Sequence, residues 1–305
     1  MNKNIQRNFV LGDSWLYYKI YTGPNTSDNI LTEIIKPVSE HLVAKNIIDK
    51  WFFIRYADPR HHLRVRFHYA KPENIALIIN RLYPYFNDFV KQDLIWKIQV
   101  DTYQRELERY GANTMELSEA LFYQDSLLVV NFLNMIEGDE GEELRWLFAL
   151  RVMDAQLNSF TFGDNEKLVL LNMLKTNFGN EFGMSRPLKK QLDDKFRKSR
   201  KKIEFFMAFS TSDDSDYQPL IETINMWRDG TKGVITQILM LNREGRLQVD
   251  FMDLISSYLH MFMNRLFKSK NRLHELVCYD FLYRYYKSQV ARKKYQTKEK
   301  TTLNR

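Results

Sequence analysis

Residues Trp51 to Phe67 read WFFIRYADPRHHLRVRF, and four arginines, two histidines and an aspartate stand there among aromatic and aliphatic side chains that belong in strands of a core. Side chains alternate along a strand, so His62, Arg64 and Arg66 share one face while Leu63, Val65 and Phe67 line the other. One side of the sheet is therefore cationic and the opposite side is core. A lone Arg-x-Arg on a strand is commonly just the wet face of an antiparallel sheet. Asp58 could also pair with Arg60 or Arg55. Against this, the preceding run Trp51-Phe52-Phe53-Ile54 is too apolar to have a solvent face, which predicts a second covering layer and arginines held in a crevice. Guanidinium groups fixed on a rigid strand suit carboxylates, so an anionic small group or an acylated peptide is the first substrate class to consider.

Working outward, Ser14 to Tyr21 (SWLYYKIY) reads as a strand closed by Gly23-Pro24-Asn25. Ser27 or Asp28 opens a helix to about Lys45, with Pro37 placed to bend it. Trp51–Tyr56 and Leu63–Tyr69 form a hairpin, Pro72 opens a helix through Leu82, and Trp96–Arg105 alternates as a strand. The order strand, helix, strand, strand, helix, strand is ferredoxin-like. From Met115 the pattern is helical almost throughout, in seven stretches beginning with Glu116–Met135 and ending with Asn271–Lys287. The expected fold is α+β: a βαββαβ sheet lobe over residues 1–112 packed on a helical lobe over 113–290, one domain in all, followed by a basic tail at 291–305.

A chain of 305 residues with 44% hydrophobic and 14% aromatic content can bury a large core. The lone Cys278 rules out a disulfide framework and a cysteine-based metal site. No apolar run is long enough to span a membrane and the first residues lack a secretion signal, so a cytoplasmic protein is expected. The formal charge of +7 sits largely in Lys189–Lys202 and Lys287–Arg305, which read as a solvated helix face and a frayed terminus. No RNA-binding motif accompanies them, and direct contact with nucleic acid is not expected. No phosphate-binding glycine loop is present, and His61 and His62 face opposite ways with no completing ligand, so no cofactor or metal is implied.

Two further clusters carry chemistry. In Gln104-Arg105-Glu106-Leu107-Glu108-Arg109-Tyr110-Gly111, the glycine permits a sharp turn that aims Arg109 inward, although alternating Arg and Glu more often form surface pairs. In His260-Met261-Phe262-Met263-Asn264-Arg265, His260 and Asn264 share a helix face, so the amide can orient the imidazole. Alone, such a histidine is more often a bonded core residue.

Together, WLYYKIY, WFFIRYADPRHHLRVRF, ERYGANTMELSEALFYQDS and HMFMNRL make the chain resemble the C-terminal elimination domain of class I lanthipeptide dehydratases, and their free-standing relatives described as thiopeptide-type bacteriocin biosynthesis proteins. The resemblance covers essentially the whole chain. It implies a lyase that removes glutamate from glutamylated Ser and Thr of a ribosomal precursor peptide, leaving dehydroalanine or dehydrobutyrine. It places the catalytic roles on Arg66, Arg109 and His260, with Arg55, His62, Arg64, Glu106, Tyr110, Asn264 and Arg265 as substrate-binding residues. It implies as partners the precursor peptide, a separate glutamyl-tRNA-dependent glutamylation subunit and a lanthionine cyclase; a homodimer stays open. The runner-up is a thiopeptide-type cyclase that joins two dehydroamino acids by [4+2] addition into a pyridine-type ring, and the third class is a non-catalytic peptide-binding subunit.

Overall fold

A computed structural model describes residues 5–210 and 216–303. The chain divides into two compact units, residues 1–136 with 225–269, and residues 137–224 with 270–305.

The first unit is built on the cationic strand. Strands β1 (Asn8–Phe9) and β2 (Trp15–Tyr21) are followed by helix α1 (Thr26–Asn29), a wide π-helical stretch Ile30–Ile35 and helix α2 (Lys36–Ala44). The π-helical stretch runs directly into the turn carrying Pro37, where the missing N–H favours an irregular ladder. Then come β3 (Lys50–Ala57), β4 (His61–His68), α3 (Asn74–Lys91), β5 (Lys97–Asp101) and β6 (Tyr103–Gln104). The main sheet has the order β3-β4-β2-β5, all neighbours antiparallel, which is the ferredoxin-like arrangement read from the sequence.

Two expected boundaries move. Helix α3 continues past Leu82 and through Pro84 to Lys91, because Phe86 and Phe89 extend its buried stripe. The strand expected over Trp96–Arg105 breaks at Thr102, and β6 leaves the main sheet to pair with β1.

Cross-strand register sets the two faces. Leu16, Ile20, Leu63, Val65 and Phe67 are wholly buried on one face, where Tyr18 meets Phe86 of α3 with ring centroids 5.8 Å apart. On the other, Phe52, Arg66, Tyr17 and Asp101 form one row across the sheet and Ile54, Arg64, Lys19 and Gln99 the next. Helices α4 (Leu107–Tyr110), α5 (Met115–Leu133), the later part of α9 (Gln218–Arg243) and α10 (Phe251–Leu266) belong with this sheet. Helix α5 seals its β3 edge: the Phe53 N–H donates to Ser126 Oγ at 3.2 Å. The helices nearest the arginine strand thus come from the half that the sequence reading set apart as a helical lobe.

The second unit is helical: α6 (Gly138–Ser159), α7 (Asp164–Glu181), α8 (Arg186–Ala208), the start of α9, and α11 (Asn271–Leu303). Buried Lys167 is satisfied inside it, donating to Asp154 at 2.9 Å, to Tyr286 Oη at 2.7 Å and to Asn158. Helix α8 buries Leu192, Ile203, Phe206 and Met207 and exposes Lys190, Arg197 and Lys201, so its basic run is an outward helix face.

Arg55 stands on the core face of β3, opposite Leu63, and ties three segments together. Its guanidinium donates to the Arg265 carbonyl at 2.8 Å, to Asp28 at 2.6 Å and to Ser27 Oγ. Its acidic partner is Asp28, where the sequence offered Asp58. Removing one side of a buried, bonded ion pair costs about 3–5 kcal/mol. Arg55→Ala is therefore expected to lose about that much in urea unfolding, and Arg55→Lys to recover less than half, since one ammonium cannot reproduce the fork.

Candidate active site

Five arginines are buried among the described residues, and comparing their partners locates the site. Arg55 meets Asp28 at 2.6 Å, Arg105 meets Glu119 at 2.7 Å, Arg145 meets Glu142 at 3.3 Å and Arg265 meets Asp125 at 3.7 Å. Among the described residues Arg66 has no carboxylate partner, and its buried Nε has no hydrogen-bond partner. Its guanidinium carbon instead lies 4.2 Å from the ring centre of Tyr17, 4.8 Å from Tyr103 and 5.2 Å from Phe52. Facing rings stabilise a cation by about 0.5–2 kcal/mol each, yet they cannot supply the hydrogen bonds that five N–H groups need. A guanidinium in this state can donate those hydrogen bonds to the oxygens of an anion.

Arg64 and His62 continue the same strand face toward the β3–β4 turn, Arg64 half-buried and His62 buried. Arg64 stacks 3.5 Å over the half-exposed ring of Tyr56 and donates from Nε to His62 Nε2 at 3.2 Å. The other nitrogen of His62 lies 2.9 Å from the Arg60 carbonyl, so it must carry the proton. Both contacts together require a neutral imidazole. Burial holds the His62 pKa below the usual imidazole range, and the charges of Arg64 and Lys19 add to this.

Aromatic contacts connect Arg66 to the helices. Phe52 meets Phe122 of α5 at 5.5 Å, Phe122 meets Tyr110 at 5.2 Å, and Tyr110 stacks on Tyr258 of α10 at 6.0 Å. Tyr110 is 2% exposed, its hydroxyl is buried without a partner, and burial keeps it in the neutral, donating form. Arg265 crosses Phe122 at 4.8 Å. Burial pushes its pKa down to about 10, Asp125 opposes the shift and the charge of Arg66 adds to it, which leaves Arg265 cationic at neutral pH.

Arg109, on the one-turn helix α4, reaches α10 directly: its Nε donates to Ser257 Oγ at 3.0 Å, while exposed Glu106 flanks it at 3.5 Å. Ser257, His260 and Asn264 lie at helical spacing on one half-buried stripe of α10, and Asn264 Nδ2 lies 3.0 Å from His260 Nε2. An amide nitrogen can only donate, so this contact places the neutral ring's acceptor on Nε2. Arg109 and His260 are thus gathered on one strip of α10, and Arg66 is joined to that helix through the Phe122 wall. Of the ten residues singled out in the sequence, Arg55 alone points to the other sheet face.

The sequence reading missed the cage. Tyr17 is registered opposite Arg66, and Tyr103 is brought beneath it by the β1–β6 pairing; neither pairing is visible along one strand. It also singled out no role for Arg105 or Glu119, which are buried and bidentate.

Comparison with known proteins decides the family. The family model described as lantibiotic biosynthesis dehydratase C-term matches residues 15–286. The chain belongs to this family. Nisin biosynthesis protein NisB of Lactococcus lactis subsp. lactis is 28% identical over 166 residues, which is 54% of this chain and 16% of NisB. The crystal structure of the tRNA-dependent lantibiotic dehydratase MibB from Microbispora sp. 107891 superimposes with a TM-score of 0.70 and 19% identity over 93% of this chain and 29% of MibB. Pyridine synthase TbtD from thiomuracin biosynthesis gives a TM-score of 0.63 and 12% identity over 88% of this chain and 97% of TbtD. The fold is therefore shared by both kinds of protein, while the chain spans less than a third of NisB or MibB.

Two outcomes follow from the geometry. Arg66→Met removes a buried charge that the rings compensate only in part, so the thermal midpoint should hold or rise. A fall as large as that of Arg55→Ala would mark Arg66 as structural and remove the anion-site reading. For His62, the folded pKa lies below the unfolded value near 6.5, so on acidification the unfolded chain takes up the proton first and stability falls as pH drops below about 6.5. His62→Gln should flatten that slope between pH 7 and 5 in urea titrations.

Proposed function

We propose that this chain eliminates glutamate from glutamylated Ser and Thr side chains of a ribosomally made precursor peptide, leaving dehydroalanine or dehydrobutyrine. The observation that carries this is Arg66, a buried guanidinium in an aromatic cage with no carboxylate of its own. A glutamyl ester brings a free carboxylate to such a site. Elimination takes the peptide α-proton, breaks the Cβ–O bond and releases the ester oxygens as glutamate carboxylate. Charge builds on the adjoining carbonyl before the bond breaks, and fixed cations and donors lower that barrier.

In this reading Arg66 holds the glutamyl group, Arg109 stabilises developing charge from the α10 side, and His260 moves a proton, with its ring set by Asn264. Arg64, His62, Tyr110 and Arg265 frame the bound group, and Glu106 orients Arg109. A separate glutamyl-tRNA-dependent subunit supplies the ester and a lanthionine cyclase consumes the product; both sit with this chain in the cytoplasm. No helix among the described residues is long and apolar enough to cross a membrane.

The test uses a synthetic peptide bearing one glutamylated serine, incubated with the full chain alone and followed by mass spectrometry. The peptide should lose glutamate without ATP or transfer RNA, because the activating energy is stored in the ester. Arg66→Lys should slow turnover at least tenfold although charge is kept, since the ammonium lacks the fork. His260→Ala should lower kcat with little change in KM. If the glutamylated peptide is untouched and one with preformed dehydroalanines is cyclised, the chain is a cyclase of the pyridine-synthase kind.

A further inference from the structure

Buried behind Arg66 is a charged assembly to which the proposed reaction assigns no role. Glu119 of α5 is completely buried. It receives Arg105 through two bonds of 2.7 Å, one to each carboxylate oxygen, and the Tyr103 hydroxyl at 2.9 Å. Arg105 spends its remaining nitrogen on the Gln6 carbonyl at 3.0 Å and lies 4.8 Å over Phe9. Phe9 in turn stacks on Tyr103 with centroids 5.7 Å apart and planes 19° apart. The Tyr103 ring also meets Trp15 at 5.3 Å and Phe52 at 6.0 Å edge-on, and Arg66 lies 4.8 Å from its centre.

Two consequences follow. The Tyr103 ring is fixed at its tip by Glu119 and across its face by Phe9, so it is a rigid floor for the guanidinium. Equally, Glu119 is a buried carboxylate separated from the unpaired Arg66 by the Tyr103 side chain, and opposite charges attract across such a gap. Arg105 offsets this attraction by occupying both carboxylate oxygens in a bidentate pair. Pairing a competing anion elsewhere keeps the binding cation available, a form of preorganisation built from residues that never touch the ligand.

We infer that Glu119, acting through Tyr103, is a positioning residue for Arg66, and that Arg105 is present to neutralise Glu119 so that Arg66 stays open to the substrate's carboxylate. The inference rests on the elimination reading for the identity of that carboxylate, though not for the position of Arg66.

Two measurements on the full chain separate these. In the first, affinities are compared for the glutamylated-serine peptide and the same peptide with free serine. The wild-type protein should prefer the glutamylated form at least tenfold. Glu119→Gln should lose most of that preference while binding the free-serine peptide as before, and should not change it further in an Arg66→Ala background. Equal weakening toward both peptides, or an undiminished effect without Arg66, would show a merely structural role and overturn the inference. The second uses no substrate: the Arg66 Nε–H resonance, assigned by its loss in Arg66→Ala, should shift in Tyr103→Phe and in Glu119→Gln. Tyr103→Phe keeps the ring and supplies the test should Glu119→Gln not fold. An unmoved resonance overturns the positioning role. A wild-type protein with no preference for the glutamylated peptide instead removes the elimination reading, and a shifted resonance would still stand.

Discussion

A guanidinium held over three aromatic rings without a counter-charge is the constraint from which the rest of the first unit follows. Such a group loses its water and receives only partial compensation, so the fold has to over-determine its position. It does so with the cross-strand row Phe52–Arg66–Tyr17, with the detached pair β1–β6 that brings Tyr103 beneath, and with α5, whose Phe122 and Glu119 reach the cage from either side. The other buried arginine of β3 shows the contrast. Arg55 is saturated by Asp28, Ser27 and the Arg265 carbonyl, and it is a brace. Two arginines on adjacent strands thus have opposite uses, decided by which sheet face they occupy and by what stands there to meet them.

The α+β class, the strand order and the cationic strand face were all legible in the sequence, because they depend on local alternation and on the order of periodic segments. Arg66 could be placed on a face for the same reason. What could not be read was pairing across distance. The identity of the rings under Arg66 depends on which strands become neighbours, and the burial of Arg105 depends on α5 arriving beside β6. Alternating Arg and Glu looks the same along the chain whether it is solvated or buried, so the Arg105–Glu119 pair carried no local sign. Helix α3 running through Pro84 has a similar cause, since buried Phe86 and Phe89 outweigh the missing bond.

Family membership and chemistry rest on different grounds. The match over residues 15–286 fixes the family, while the likeness to both MibB and TbtD means that the scaffold serves more than one reaction. The proposed choice between them depends on side chains: a buried arginine without a carboxylate of its own, a second arginine and an oriented histidine suit the removal of an anionic leaving group. Neutral His62 adds a detail here. Its protonation would turn the acceptor of Arg64 into a donor, so the cationic face is arranged for pH values at which that ring is uncharged.

The first unit is assembled from two stretches of chain, and the residues between them, 137–224, lie in the other unit. Synthesis from the N-terminus therefore exposes the sheet with its α5 cover long before α10 has been made. Until then Arg55 lacks the carbonyl of Arg265, Arg109 lacks Ser257, and no His260 exists. A nascent or truncated chain that ends before α10 therefore carries Arg66 and its rings but neither the Ser257 support of Arg109 nor the His260–Asn264 pair.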